Sequence, residues 1–243
     1  MYKDKRGVVY SDDKQTLLNV SDRITSEYKV LDGVTIIKAG ACAHICCPII
    51  LPDSLRTIED RAFQYCNINR IVFPNGLQSI GSNAFNQSDI TEIYIPASVT
   101  NIGDGIFSHC CNLVSIIVDP ANPVYDSRDN CNAIIETKTN TLIAGCKKTI
   151  IPEGIEHIGK ASFDNVDIAS VTIPYSVLSI GEFAFLGCSN LTSVLIPNSI
   201  PDIKRGAFAG CNKLKEIIIP QGTKQRFEQM EGLYGLQALL VEK

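Results

Sequence analysis

The sequence lacks the features that mark a membrane-spanning protein or a nucleic-acid-binding protein. None of its apolar runs approaches the ~18 consecutive residues of a membrane-spanning helix. Its formal net charge is −4 with a pI near 5.4, whereas a nucleic-acid-binding surface requires a concentration of basic residues. We therefore expect neither a membrane span nor a nucleic-acid partner.

The N-terminal segment MYKDKRGVVYSDD also lacks the apolar core of a secretory signal peptide. Either the chain stays in the cytoplasm, or a leader has been removed from it. The sequence alone leaves both alternatives open.

Recognisable catalytic motifs are absent as well. The three histidines, His44, His109 and His157, occupy unrelated positions, and we expect none of them to have a nucleophile in register. The acidic residues form no paired-carboxylate motif, and no glycine-rich phosphate loop follows an apolar run. The sequence therefore predicts a non-enzymatic protein without a cofactor.

What the sequence does contain is an internal repeat that is marked by proline. Short apolar runs such as IVFP, IYIP and VLIP end at prolines 52, 74, 96, 152, 174, 197 and 220. The successive spacings are 22, 22, 56, 22, 23 and 23 residues, and the interval of 56 divides into 23 and 33 because Asp119 takes one proline slot. A fixed period of this length is typical of solenoid proteins.

Phenylalanine confirms this register within the sequence. Six of the nine phenylalanines lie eleven residues after a proline slot, and leucine, valine or isoleucine recurs three and six residues after it. An earlier, degenerate copy begins at Leu31 and has Cys42 in the phenylalanine slot, which gives eight repeats. The six phenylalanines are Phe63, Phe85, Phe107, Phe163, Phe185 and Phe208.

Each repeat is too short to bury its apolar side chains alone, so neighbouring repeats must stack. The predicted fold is a β-rich α/β leucine-rich-repeat solenoid. Short parallel strands form a sheet on its concave side. The convex side consists of short turns, 3-10 turns or helical turns. Residues 134–143 and 9–18 each read as two apolar pairs around a polar turn, which predicts two hairpins.

We predict one domain over residues 1–243. Its segments are an N-terminal hairpin cap (1–27), repeats (28–118), a hairpin insertion (119–149), repeats (150–220) and a C-terminal cap (221–243).

The pattern IP-x-x-V-x-x-I-G-x-x-A-F-x-x-C-x-x-L-x-x-I resembles the BspA-like leucine-rich repeat, most closely in SVTNIGDGIFSHCCNLVSI and SVLSIGEFAFLGCSNLTSVLIP. The resemblance covers roughly residues 28–220. It implies a bacterial cell-surface or secreted adhesion protein that binds host or partner proteins.

Two groups of cysteines allow alternative readings. Cys42, His44, Cys46 and Cys47 are residue types that bind zinc, but Cys42 also fits the phenylalanine slot as a small buried side chain. Cys131 and Cys146 lie symmetrically about the centre of the second hairpin, so they either face each other as a disulfide or remain free thiols. We expect no metal site, and we leave the disulfide open.

The candidate binding surface follows from strand alternation. Residues two positions before each proline slot should face away from the core, and most of them are apolar. An exposed apolar stripe indicates a partner, although β-propensity alone also favours such residues. The proposed partner-binding residues are Val72, Tyr94, Ile117, Ile150, Thr172, Leu195 and Ile218.

The sequence thus predicts a protein-binding or adhesion module, displayed on a bacterial cell surface, that uses its concave sheet. The alternative is an intracellular scaffold or a self-associating structural repeat protein, and the oligomeric state stays open.

The phenylalanine register gives a first prediction. Phe107→Ala should lower the free energy of unfolding by about 3–5 kcal/mol, as for other buried phenylalanines, and chiefly affect neighbouring repeats. Thermal denaturation followed by circular dichroism measures the loss. A variant that melts like the wild type would show that the assigned register is incorrect.

Overall fold

The computed structural model describes residues 1–21 and 23–243. The chain forms two compact units, Met1–Asp126 and Ser127–Lys243, which we describe separately. Each unit is a solenoid of stacked short strands with little helix, as the sequence predicts. The assignment of the whole chain to one domain stays a prediction.

The first unit contains two kinds of sheet. A seven-stranded sheet has the order β1-β2-β3-β5-β7-β8-β10, and two parallel pairs, β4–β6 and β9–β11, hold the residues that precede the prolines. The strands are β1 (Tyr2–Lys3), β2 (Val9–Tyr10), β3 (Thr16–Asn19), β4 (Tyr28–Lys29), β5 (Ile36–Ile37), β6 (Ile49–Ile50), β7 (Thr57–Ile58), β8 (Ser79–Ile80), β9 (Glu92–Ile95), β10 (Asn101–Ile102), β11 (Ser115–Val118) and β12 (Tyr125–Asp126).

The second unit repeats this plan. One sheet joins β13-β14-β15-β17-β19, and another joins β16-β18-β20-β21 through parallel pairs. Its strands β16, β18 and β20 again precede prolines. The elements are β13 (Ala133–Glu136), β14 (Thr141–Gly145), β15 (His157–Ile158), β16 (Ser170–Thr172), β17 (Ser179–Ile180), β18 (Ser193–Leu195), β19 (Asp202–Ile203), β20 (Glu216–Ile219), α1 (Lys224–Glu228) and β21 (Leu240–Glu242), with 3-10 helices at Arg128–Asn130, Glu231–Leu233 and Gln237–Leu239.

Both predicted hairpins are confirmed. The antiparallel pair β2–β3, preceded by β1, is the hairpin of the first unit, and the antiparallel pair β13–β14 is that of the second. Each pair carries a register shift, between Val9 and Tyr10 in one and between Ile134 and Ile135 in the other. Each hairpin then continues into a parallel ladder, because β3 pairs with β5 and β14 pairs with β15.

The phenylalanine slots lie in turns rather than helices. Every second amide of these turns donates to the next repeat: the Phe63 N–H donates to the Ala84 carbonyl at 2.8 Å, and the Phe163 N–H to the Ala184 carbonyl at 2.7 Å. The turns require positive φ at two positions per repeat, and Ala161 and Phe183 adopt it without being glycine. Main-chain bonds between repeats therefore hold each turn in this unusual conformation.

The phenylalanine rings form a stack within each unit. In the first unit the ring centroids of Phe63 and Phe85 are 5.1 Å apart. In the second unit, Phe163–Phe185 and Phe185–Phe208 are 4.9 and 5.3 Å apart with nearly parallel planes. All six slot phenylalanines are buried. Offset stacking of this kind adds to the apolar burial that joins successive repeats.

A polar network attaches the N-terminal hairpin to β4. The Tyr28 hydroxyl donates to Asp4 Oδ2 at 2.7 Å and shares a hydrogen bond with the buried Tyr10 hydroxyl. The other Asp4 oxygen accepts the amides of Arg6 and Val8. Burial raises the pKa of Tyr28, so the hydroxyl stays protonated and keeps donating.

The C-terminal segment caps the second unit. Phe227 of α1 and Met230 are buried against the repeat core, and β21 adds a parallel strand beside β20. This last strand is short and covers Leu240–Glu242.

The turn geometry yields a matched pair of substitutions. Gly206 has φ +69°, and a Cβ there would lie 2.6 Å from the Phe183 ring, so Gly206→Ala should destabilise the protein by about 1–2 kcal/mol. Ala161 occupies the same slot with φ 51°, so Ala161→Gly should change stability by less than about 1 kcal/mol. Urea denaturation measures both. A stabilising Gly206→Ala would contradict the positive-φ requirement.

Candidate binding surface

The residues two positions before each proline slot form what we call the outward row. In the first unit its members Val72, Tyr94 and Ile117 are all exposed, Val72 by 68% and Ile117 by 50%. Their immediate neighbours point the other way, since Ile116 is only 1% exposed. Strand alternation therefore separates a buried face from an exposed apolar face.

The strands β9 and β11 fix the middle of this row. Tyr94 lies directly opposite Ile117 in the parallel ladder. The Tyr94 hydroxyl donates to Asp119 Oδ2 at 2.8 Å, and this bond raises the pKa of Tyr94. The amide of Ala121 and the Tyr94 hydroxyl together lower the pKa of Asp119. The tyrosine ring is thus held in one orientation while its face stays exposed.

A groove of about 310 Å³ adjoins Tyr94, and Arg70, Val72, Glu92 and Ile117 also line it. Arg70 and Glu92 form an ion pair across its polar side at 3.6 Å. The groove combines an apolar floor with a charged rim, which is the composition of a protein-binding site.

The main chain beneath this groove is unusual. Within the described residues, Ile71, Val72 and Phe73 make no main-chain hydrogen bond, although their counterparts in β9 and β11 pair in register. The strand slot of this repeat therefore separates the β4–β6 pair from the β9–β11 pair. Sequence pattern gives no sign of this gap, because IVFP matches the other repeats.

The outward row of the second unit is less uniform. Ile150 is 76% exposed and Leu195 41%, and Thr172 is also exposed. Ile218 is only half-exposed, and it lies opposite Val241 in the terminal β20–β21 pair. The strand β21 thus covers part of Ile218, so less of this side chain is accessible to a partner than of Ile150.

A ladder of polar side chains borders the outward row of the second unit. The sequence analysis did not predict this ladder. Lys147 Nζ contacts Asp167 Oδ2 at 2.5 Å, and Asn190 donates to Asp167 Oδ1 at 2.6 Å. Lys213 Nζ then donates to Asn190 Oδ1 at 2.6 Å. These bonds, led by the one from Asn190, lower the pKa of Asp167. Positions twenty or more residues apart are thereby joined on one surface.

One expectation about the histidines is wrong. His157 has a hydroxyl in register, because its Nδ1 lies 2.8 Å from the Ser179 Oγ on the neighbouring strand. Within the described residues, the hydrogen bond of this imidazole is the one with the Ser179 hydroxyl, and no ion pair joins it to a carboxylate. A nucleophile and base without an orienting third group lack the arrangement of a catalytic triad.

The remaining histidine and cysteine candidates are dispersed. His44 stacks on Tyr65 at 4.8 Å, and the nearby Cys42 and Cys47 are buried. Among the residues that the structure describes, no group of three or more His, Cys, Asp or Glu side chains could hold a metal ion.

None of the ten cysteines, each of which lies within the described residues, is in a disulfide. Cys131 and Cys146 form no disulfide, and the Cys146 thiol instead donates to the Asn132 carbonyl at 3.4 Å. Burial raises the pKa of Cys66 to about 12 and that of Cys110 to about 11. The recurring cysteine slot is therefore part of the apolar core, and its thiols stay protonated.

Comparison with known proteins identifies the repeat. Residues 35–140 and 133–230 match the BspA type leucine rich repeat region in six copies. No curated protein matches the chain. The described residues contain no helix with the length and apolar character of a membrane span.

Three solved structures share the fold. A leucine-rich repeat protein from Eubacterium ventriosum is 23% identical, with a TM-score of 0.60 over 79% of this chain and 65% of its own. A leucine-rich cell surface protein from Faecalibacterium prausnitzii is 24% identical, with a TM-score of 0.58 over 91% and 77%. The pneumococcal vaccine antigen PcpA is 22% identical, with a TM-score of 0.65 over 90% and 60%. The chain thus spans less than two thirds of two of these proteins.

The cysteine environments predict a two-class thiol titration. Cys46 and Cys111 are exposed and the other eight are buried, so a thiol reagent should modify two groups rapidly in the native protein. Thiolates are the reactive species, and burial suppresses them. Absorbance with Ellman's reagent should show the remaining eight only after denaturation. The Cys46→Ser, Cys111→Ser double variant should lose the rapid phase, and a rapid phase that persists would contradict the assignment.

Proposed function

Because the chain belongs to the BspA-type leucine-rich repeat family, we propose that it is a protein-binding module displayed on a bacterial cell surface. Repeats of this family are generally protein-interaction modules and are generally non-enzymatic. In this proposal the module acts in adhesion, and its partner is a host or surface protein.

The observation that carries the proposal is the outward row of the first unit. Tyr94 and Ile117 expose large side chains on the paired strands β9 and β11, and Val72 exposes another on the neighbouring unpaired segment, next to a groove with an ion-paired rim. Aromatic and aliphatic residues at the centre of a surface contribute most of the binding energy in protein interfaces. The buried core needs none of these side chains, so packing does not account for them.

Surface display draws support from two proteins of similar structure. One is described as a cell surface protein and another as a vaccine antigen. Both are under 25% identical to this chain, so they support the fold directly and the location only by analogy.

The outward row predicts a separation of binding from stability. Tyr94→Ala combined with Ile117→Ser should leave the melting temperature nearly unchanged, because both side chains point to solvent. It should abolish binding in a surface-plasmon-resonance screen against immobilised host matrix and surface proteins. The same variant should lose any self-association that sedimentation detects in the wild type.

Ile116→Ser is the matched control for this experiment. It lies one residue away and is buried, so it should cost about 3 kcal/mol or more through the cavity and the buried hydroxyl. Two outcomes count against the proposal. Partner binding that survives the outward double variant would place the site elsewhere, and unfolding by that variant alone would mean that the faces are reversed.

A further inference from the structure

The second unit differs from the first in the charges that border its outward row. Lys148 lies in the turn that follows β14, two residues before the exposed Ile150. Lys215 lies immediately before β20, next to the strand that contains Leu195. Both lysines are exposed, and neither forms an ion pair among the described residues.

The Lys147–Asp167–Asn190–Lys213 ladder adds to this positive charge. Both Asp167 oxygens are occupied, one by Lys147 and one by Asn190. The Lys213 ammonium contacts only the neutral amide oxygen of Asn190. The ladder borders a trough of about 550 Å³ that Ser170 and Thr192 also line, at the start of the strands.

This end of the sheet is therefore basic in a protein that is acidic overall. Lys147 and Lys213 line the trough together with one carboxylate, Asp167. The exposed Lys148 and Lys215 follow them in the chain by one and two residues. Glu216, the residue after Lys215, is neutralised by Lys243 at 3.2 Å. The formal net charge of the chain is −4. A local excess of one sign raises the local concentration of ligands of the opposite sign.

We propose that the sheet β16-β18-β20 of the second unit binds an acidic segment of a partner protein. In this proposal its aliphatic side chains pack on Ile150 and Leu195, and its carboxylates contact the exposed Lys148 and Lys215, which lie next in sequence to residues of the ladder and of β20. The inference rests on the proposed protein-binding function and specifies the chemistry of the partner. The exposed apolar row beside the lysines favours a polypeptide over a sulfated glycan, since a glycan would leave those side chains uncovered.

The test uses the full chain and a short fluorescent peptide in which leucine and glutamate alternate. Fluorescence anisotropy should show binding at low ionic strength, and affinity should fall at least about tenfold between about 0.05 and 0.5 M salt. The same peptide with glutamine in place of glutamate should bind at least about tenfold more weakly. Equal binding of both peptides would overturn the proposal.

Charge reversal locates the site. Lys148→Glu with Lys215→Glu leaves the buttressing ladder intact and should weaken peptide binding at least about tenfold, at an unchanged melting temperature. Lys138→Glu with Lys224→Glu makes the same charge change at exposed lysines elsewhere on this unit and should preserve affinity. If both variants lose the same peptide affinity, the effect comes from the net charge of the protein, and the assigned site is overturned.

Two further results separate this inference from the proposed function. If a heparin oligosaccharide binds the trough and the peptide does not, the partner is a glycan and the inference fails. If neither probe binds while partner binding still depends on Tyr94 and Ile117, only the present inference fails. Leu195→Ser should weaken the peptide without affecting heparin, because the glycan has no aliphatic group to place there.

Discussion

The main-chain hydrogen bond from one repeat to the next is the interaction on which every other feature depends. In the first unit the Phe63 amide reaches Ala84 and the Phe85 amide reaches Ile106, at 2.8 and 3.0 Å. These bonds set the distance between repeats, and that distance brings the phenylalanine rings within 5.1 Å of each other. Without these hydrogen bonds neither the phenylalanine rings nor the short strands would keep their positions, since a strand of two residues is not stable alone.

This spacing also determines what each unit presents to its surroundings. Side chains in equivalent slots of successive repeats lie side by side. The polarity of the residues in one slot therefore determines the polarity of a continuous strip of surface. In the first unit the result is an apolar row with Tyr94 at its middle, tied to Asp119. In the second unit the same slot is bordered by the ladder that includes Lys147 and Lys213. One architecture thus carries two chemically different faces.

The repeat register and the two hairpins could be predicted from the sequence because they depend on periodicity and on local turn pattern. The inward and outward alternation at Ile116 and Ile117 was predictable for the same reason. Other features depend on contacts between distant positions. The Lys147–Asp167 and His157–Ser179 contacts join side chains 20 and 22 residues apart, and their geometry depends on rotamers that periodicity does not specify. Positive φ at Ala161 and Phe183 was equally hidden, because tertiary hydrogen bonds impose a conformation that these residues disfavour alone.

The unpaired main chain at Ile71–Phe73 makes the first unit locally less protected against opening. The β4–β6 and β9–β11 pairs share no ladder bond across this segment. The repeats on its two sides are held together instead by the ladder β7-β8-β10 and by the turn bonds such as that from Phe63 to Ala84. The bonds from Asn67 to Ile45 and from Thr91 to Asn69 limit how far the unpaired segment extends. Amide protons inside it should exchange with solvent far sooner than those of β9.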